Sequence, residues 1–431
     1  MPTVKSSFRK ILRGSEGLAL ITVIFVAAFF LIFVTGGLYF AQLNLKIASN
    51  FKLATQAVEV ADAGLQHGLA TIPWVWGDFN NQLNCGTPPC SLVSETSFPS
   101  VSGFTYTVTA QNNPGEASAT VDSDSKILVT AQANGPSSTK KIVEAYVRRS
   151  VAAFTPPAPF YVNAVSSYPT YDSSNIGMGA RYFDDSDTLW VKGADFNYSP
   201  AGSGPNPALY AIATTSNAVN TALRNEEQTN SAYHVISGLG SDPSISTVGD
   251  ILDVDAIAQK FFDQPGAVKF LTGLKTAGTA SSGVSACPAF LPSPRPTPDP
   301  CKLGTAASPQ ITYIRQDTAT NIIALRGYVT GYGVLVLEGE TTLGENFKFY
   351  GLIVHERSAS THYLSIEDYA TVYGSVLVGS FNEGDGNGKK ARFGLKDNIR
   401  IYYSSQALNM VDSNWGSLLP KPPRVFAWLD K

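Results

Sequence analysis

At 431 residues the chain is long enough for two or three domains. Its 31 lysines and arginines nearly balance 34 aspartates and glutamates, so no overall basic field is available for nucleic acid, although a local basic patch is compatible with that balance. Low charge (15%), 37 glycines and 26 prolines describe a turn-rich β protein and argue against a helical enzyme domain.

The first element is a run from Gly17 to Leu45 that carries no charged residue over about 29 positions, enough to cross a bilayer as one helix. Lys5, Arg9, Lys10 and Arg13 precede it with Glu16 as the one nearby acid, which keeps the N-terminus cytoplasmic and the bulk of the chain outside. The helical signal then continues. Ile47, Phe51, Ala54, Val58, Ala61, Leu65 and Leu69 recur at steps of three and four, with Lys52, Gln56, Glu59 and Gln66 on the opposite face. Up to the block at Pro73 the helix covers roughly 55 residues, on the order of 80 Å. A cleaved signal peptide has an apolar core of only about 7 to 15 residues, which this run exceeds. An ordinary uncleaved anchor is the plainer alternative.

The short basic leader, the stretch Ser15-Glu16-Gly17-Leu18-Ala19-Leu20-Ile21 and the later Ala57-Val58-Glu59-Val60-Ala61-Asp62-Ala63-Gly64-Leu65 together resemble the N-terminus of type IV pilus assembly proteins of the PilX kind, within the pilin and pseudopilin superfamily. The resemblance covers about the first 150 residues and rests on the conjunction, since no single motif decides it. It implies cleavage after Gly17 by the prepilin peptidase, a methylated Leu18 as the first mature residue, and a filament and membrane helix containing Leu20, Thr22, Gly36 and Gly37. The partners it implies are major and minor pilins and the assembly platform of the inner membrane.

Major pilins carry glutamate at the fifth mature position, able to neutralise a neighbour's N-terminal amine in the apolar filament core. Here that position is Thr22, which by resemblance suits a tip or first subunit; the plain alternative is a helix residue bonding its hydroxyl to the preceding turn. Gly36-Gly37 marks either a point where the helix loosens on assembly or close packing with another helix.

The cysteines form two local pairs, Cys85 with Cys90 and Cys287 with Cys301. Export favours a disulfide within each pair, because short loops close most readily; zinc competes poorly without paired CxxC spacing or a nearby histidine. Trp74 and Trp76 either sit at the helix base or cover the next sheet. Residues 98–150 read as a small antiparallel sheet: Phe104, Tyr106, Val108 and Ala110 alternate with threonines, Ile127–Ala131 and Ile142–Val147 follow, and Asn134-Gly135 turns between them. Such a sheet gives the second half of the helix a surface to bury against.

The organisation expected is a leader (1–17), a pilin-type helix (18–72), a pilin-like sheet (73–153), a Pro-rich linker (154–160) and a β-rich head (161–431). In the head, Tyr161–Val165 and Leu189–Lys192 read as strands, and Asp253 caps a helix whose stripe is Val254, Ile257, Ala258, Phe261 and Phe262. Gly333, Gly351 and Gly374 open similar apolar runs about 18 and 23 residues apart, a solenoid-like spacing of rungs over about 311–405; an antiparallel sandwich is the alternative.

No nucleophile elbow, P-loop, dinucleotide fingerprint or HExxH motif is present. His67 and His234 stand apart, and His355 and His362 flank ERSAST without an evident third ligand. Glu338, Glu340, Glu356, Glu367 and Asp368 do not single out an acid–base pair, so no catalytic residue and no enzyme activity is expected. No cofactor is called for beyond calcium, for which Asp184, Asp185 and Asp187, and separately Asp385 and Asn387, offer oxygen-rich turns. Neither matches EF-hand spacing, and ordinary Asx or hairpin turns explain both.

The expected fold is therefore α+β: a long transmembrane helix on a small antiparallel sheet, then a mainly-β head. The expected function is a low-copy or tip subunit of a type IV pilus, held in the inner membrane before assembly and exposed at the cell surface after it. Its head would meet an adhesin or a surface glycan. The alternative is a single-pass surface protein whose solenoid binds or cleaves polysaccharide. Leader processing separates the two.

Overall fold

The computed structural model describes residues 15–150, 152–164, 188–230, 234–248, 252–270, 275–276, 303–316, 323–326, 329–356, 363–382 and 389–430. The leader residues 1–14, Cys287 and Cys301, His362, and all five calcium candidates (Asp184, Asp185, Asp187, Asp385 and Asn387) lie outside the described residues. The architecture is α+β, a long N-terminal apolar helix followed by a large β-rich region with several sheets.

The helix runs unbroken over Ser15–Thr71, 57 residues. Its first part leaves its large apolar side chains in the open, from Leu18 (71% exposed) to Phe51 (74%). Its last part packs on a five-stranded antiparallel sheet ordered Cys90–Ser97, Thr105–Asn112, Lys126–Asn134, Lys140–Arg149 and Pro423–Asp430. The inward positions Val108, Ala110, Val129, Ala131, Val143 and Ala145 form one core with the helix. The face that docks is Ala57, Val60, Ala61 and Leu65. The apolar stripe read from spacing agrees at Ala61 and Leu65 but not at Phe51 and Val58, which stay exposed, because small residues let the helix approach the sheet.

Two strands of this sheet have no counterpart in the sequence expectation. Cys90–Ser97 starts at the Cys85–Cys90 disulfide, and Pro423–Asp430 returns from the far end of the chain to pair antiparallel with Lys140–Arg149. Residues grouped with the head by sequence thus complete the small sheet.

The rest of the head is built around a parallel, solenoid-like stack, to which two short antiparallel pairs (Phe196–Tyr198 with Ala201–Ser203, and Phe381–Asn382 with Lys389–Lys390) are added. Gln310–Arg315, Thr330–Glu338, Lys348–Glu356 and Thr371–Val378 pair in parallel on one side, and Ile323–Arg326, Thr341–Gly344, Leu364–Ile366 and Phe393–Leu395 on the other. Leu335, Leu337, Ile353 and Val376 fill the space between the two sheets. The antiparallel sandwich is thereby excluded for this region.

The three spaced glycines fall in register, Gly333 opposite Gly351 and Gly351 opposite Gly374. All three have positive φ (118°, 139° and 135°). A Cβ on Gly351 or Gly374 would lie 1.9 Å from the carbonyl oxygen of the preceding rung's glycine. Only glycine meets both demands.

Two helices cover the outer face of the main sheet. Val254–Phe262 is capped by Asp253, which accepts from the Ala256 amide, and Ser405–Trp415 by Ser404. Ile257, Phe261, Leu408 and Val411 pack there on Val334, Val336, Leu352 and Val354. The Pro-rich stretch does not stand clear as a spacer: Phe154, Ala158 and Phe160 are buried, and Ser375 Oγ donates to the Ala158 carbonyl at 2.9 Å.

The two units are stitched together at the helix base. Val75 and Lys421 exchange backbone hydrogen bonds (3.0 and 2.9 Å). Trp76 Nε1 donates to the Leu418 carbonyl at 2.7 Å, and Arg149 donates to the carbonyls of Trp76 and of Leu419 (3.0 Å). Trp74 and Trp76 pack against the head core, covering the junction.

Gly351→Ala should destabilise the head by about 3 kcal/mol or more, from strain and backbone collision together. Gly266→Ala, where a Cβ meets open space, should stay within about 0.5 kcal/mol of the parent. Urea unfolding of the full chain in detergent, followed by intrinsic fluorescence, measures both.

Candidate functional site

The two-part helix is the first candidate site. From Leu18 through Leu20 to Leu45 the helix is a rod without a charged residue, long and apolar enough to cross a membrane, and its large apolar side chains stay exposed as far as Phe51. Helix geometry satisfies every internal amide, so such a rod can exchange lipid for another apolar helix without exposing backbone. Thr22 Oγ1 donates to the Leu18 carbonyl at 2.9 Å, closing its hydroxyl on the preceding turn. Gly17 and Leu18 lie within the helix, which begins at Ser15. It passes straight through Gly36 and Gly37, and a Cβ at either would meet nothing within 4 Å.

The docked half depends on two glycines. A Cβ on Gly64 would lie 2.8 Å from the Tyr106 ring, and one on Gly68 would lie 2.5 Å from Val108 Cγ1. Tyr106 also hydrogen-bonds His67 Nδ1 at 2.8 Å, which gives His67 a structural place at this contact. The helix–sheet spacing is therefore set by absent side chains.

The second candidate is the outer face of the main parallel sheet. Register aligns Tyr332, Tyr350, Tyr373 and Tyr402 into a ladder with ring centroids 4.5, 4.9 and 5.4 Å apart. Phe196 stacks on Tyr373 and Tyr402, and Tyr198 leans on Tyr350 at 4.6 Å. Burial first, and then the neighbouring phenols, push the Tyr350 hydroxyl well above its ordinary range. Sequence reasoning passed over this ladder, although Tyr332-Gly333, Tyr350-Gly351 and Tyr373-Gly374 repeat one dipeptide at rung spacing.

At the C-terminal end of the same strands, register sets Glu338 beside Glu356. Tyr313 donates to Glu338 Oε2 at 2.6 Å and lies 3.2 Å from Glu356 Oε2, while Arg315 Nε approaches Glu338 at 3.3 Å. Burial, with the charges of Glu338 and Asp255, raises the Glu356 carboxyl to about 7. Glu367, another of the scattered acids, pairs with Arg326 and accepts from Ser365 Oγ at 2.9 Å. His355 is fully buried, and its Nε2 donates to the Gly339 carbonyl at 2.9 Å, a structural position. His234 faces Glu227 at 2.7 Å.

Among the described residues one group of three acids gathers tightly, Glu116, Asp122 and Asp124 beside the small sheet. Asp122 accepts from the amides of Phe79 (2.7 Å), Asp124 and Lys126, and Asp124 is paired with Lys126 at 2.6 Å. Their oxygens organise the loop they belong to.

No protein-family model matches this chain, and no curated protein matches it. Among solved structures, the crystal structure of the competence-associated pilin ComZ from Thermus thermophilus aligns with 88% of this chain and 97% of its own length at 10% identity. The TM-score of that alignment is 0.19, too low for any conclusion about this chain to rest on it.

Two outcomes follow. Gly68→Leu should weaken helix–sheet docking by about 1–3 kcal/mol, read as lost amide protection over 57–69 by hydrogen exchange, while Gly37→Ala leaves that protection unchanged. For Glu356, a folded pKa near 7 against an ordinary value near 4.3 makes its contribution to stability complete at low pH and lost as pH rises through 7. The melting temperature of Glu356→Gln relative to the parent should therefore climb between pH 5 and pH 8; a difference that stays flat would contradict the raised carboxyl.

Proposed function

We propose that this chain is a pilin-like subunit of a type IV pilus or a related filament, a minor one that occupies the tip or occurs in low copy. The observation that carries the proposal is the division of one unbroken helix into a bare apolar half and a half docked on an antiparallel sheet. A helix of this kind is anchored in a bilayer before assembly and can enter a helical filament core afterwards, trading lipid contacts for helix contacts. The basic leader ahead of Gly17 and the resemblance around Leu18 supply the handling such a subunit needs: cleavage by a prepilin peptidase and delivery to an assembly platform in the inner membrane.

Two further features support the minor role. Thr22 stands where a major pilin keeps its glutamate, so this subunit cannot offer a carboxylate to the amine of a neighbour. The head is bulky and bound rigidly at the helix base through Arg149, Trp76 and Lys421, so repeating it at every step of a filament would crowd its neighbours. The head then serves display: it presents a surface for adhesion or for contact with other minor pilins, and the reading assigns it no catalysis.

Intact mass and N-terminal sequencing of membrane-extracted protein, from hosts with and without the prepilin peptidase, test this proposal. A methylated Leu18 terminus that depends on the peptidase is expected. A terminus at Met1 or Pro2 in both hosts would overturn it and favour an anchored surface protein.

A further inference from the structure

The outer face of the main sheet is zoned along its strands. Aliphatic rows lie under the two helices, the tyrosine ladder comes next, and beyond it the strand starts form a polar row in which Thr330, Lys348 and Arg400 are exposed and Thr371 is buried between the two cations. In that row Thr330 stands beside Lys348, Lys348 beside Thr371, and Thr371 beside Arg400. Together with Asn346, Tyr369 and Asn398 from the corner turns, these residues line an open groove of about 280 Å³. Strands in a sheet are about 4.8 Å apart, so the backbones bearing the two cations are separated by about 10 Å.

Both cations are available. Neither Lys348 nor Arg400 forms an ion pair among the described residues, and Glu345, next to Asn346, is taken by Arg326 at 3.6 Å. The Arg400 guanidinium is held over the Trp190 ring, 4.9 Å from its centroid. Stacking fixes the plane of the guanidinium while leaving its N–H edge free for a planar anion. Tyr369, 59% exposed, adds an open aromatic ring at the groove wall.

We propose that this groove binds a carboxylated sugar unit of an anionic glycan. The planar fork of Arg400 matches a carboxylate in bidentate geometry, and Lys348 supplies a second point charge. Thr330, Thr371 and the Asn346 amide suit sugar hydroxyls, and the Tyr369 ring suits the apolar face of a pyranose. A phosphate site of the backbone type is not what these residues build. The amides of Asn346 and Tyr369 sit in positive-φ turns but already donate to the carbonyls of Asp368 and Asp397, each at 2.9 Å. A duplex is disfavoured as well, since tight binding there draws on about 6–10 phosphate contacts and this groove offers two cations.

The assignment deepens the display role proposed for the head and rests on it, yet its test is independent of leader cleavage. Full-length protein in detergent micelles is titrated calorimetrically with tetragalacturonate, with neutral cellotetraose, with inorganic phosphate and with a short DNA duplex. Saturable binding of tetragalacturonate alone is expected, weakening as salt rises. Arg400→Gln should weaken it by about tenfold or more, and Arg400→Lys should restore part of the loss, because charge returns without the planar fork. Both variants should keep the melting temperature of the parent, Arg400 being exposed. Absence of saturable binding, equal affinity in Arg400→Gln, or phosphate or duplex binding as tight as tetragalacturonate would each overturn the proposal.

Discussion

The docking of the long helix onto the small sheet governs the rest of the molecule. Ala57, Ala61, Gly64 and Gly68 present so little side chain that Tyr106 and Val108 press against the helix itself. That contact fixes where the helix stops being part of a soluble core and becomes a bare rod. It also orients the base at Trp74 and Trp76, where the head is attached through Arg149 and the Val75–Lys421 bonds. Arg149 is half-buried among carbonyls, and burial lowers its pKa, so its charge is held there by acceptors rather than by water. The path from helix to head is thus continuous packing, with the last strand, Pro423–Asp430, closing the chain back onto the sheet.

The head is governed by a different constraint, the parallel register of its rungs. Because the same side-chain position recurs in each coil, one residue type becomes a stripe: glycine at 333, 351 and 374, tyrosine one position earlier, and alternating threonine and cation two positions before that. The glycine stripe allows close approach of adjacent backbones, and the tyrosine stripe stacks ring on ring. The threonine–cation stripe brings Thr330, Lys348 and Arg400 to the surface, with Thr371 buried between the two cations. At the other end of the strands, burial first and the neighbouring Glu338 second raise the Glu356 carboxyl, which holds its proton to about pH 7, so stacking these acids costs stability at higher pH.

Much of this was legible in the sequence where one local rule acts alone. Charge-free length announced the helix, Asp253 and its stripe announced Val254–Phe262, and spaced glycines announced the rungs. What escaped depends on distant segments meeting. The partner of Lys140–Arg149 lies almost at the end of the chain, and no local signal connects them. The docked helix face was read by hydrophobic size, which favoured Phe51 and Val58, whereas the sheet selected small residues; a tally of glycine and alanine at Ala57, Ala61, Gly64 and Gly68 would have found it. The acid pair and the polar groove needed register, because Glu338 and Glu356, or Lys348 and Arg400, are neighbours only once the coils are stacked.

The central claim is that one helix serves two environments, with the boundary falling near Phe51. Single cysteines introduced at Phe30 and at Glu59 of the full-length chain, probed with a membrane-impermeant maleimide in intact vesicles and again after solubilisation, test it most directly. The account predicts that Phe30→Cys reacts only after detergent is added, whereas Glu59→Cys reacts in intact vesicles whose extracytoplasmic face is accessible. Equal labelling of both positions in intact vesicles would contradict it.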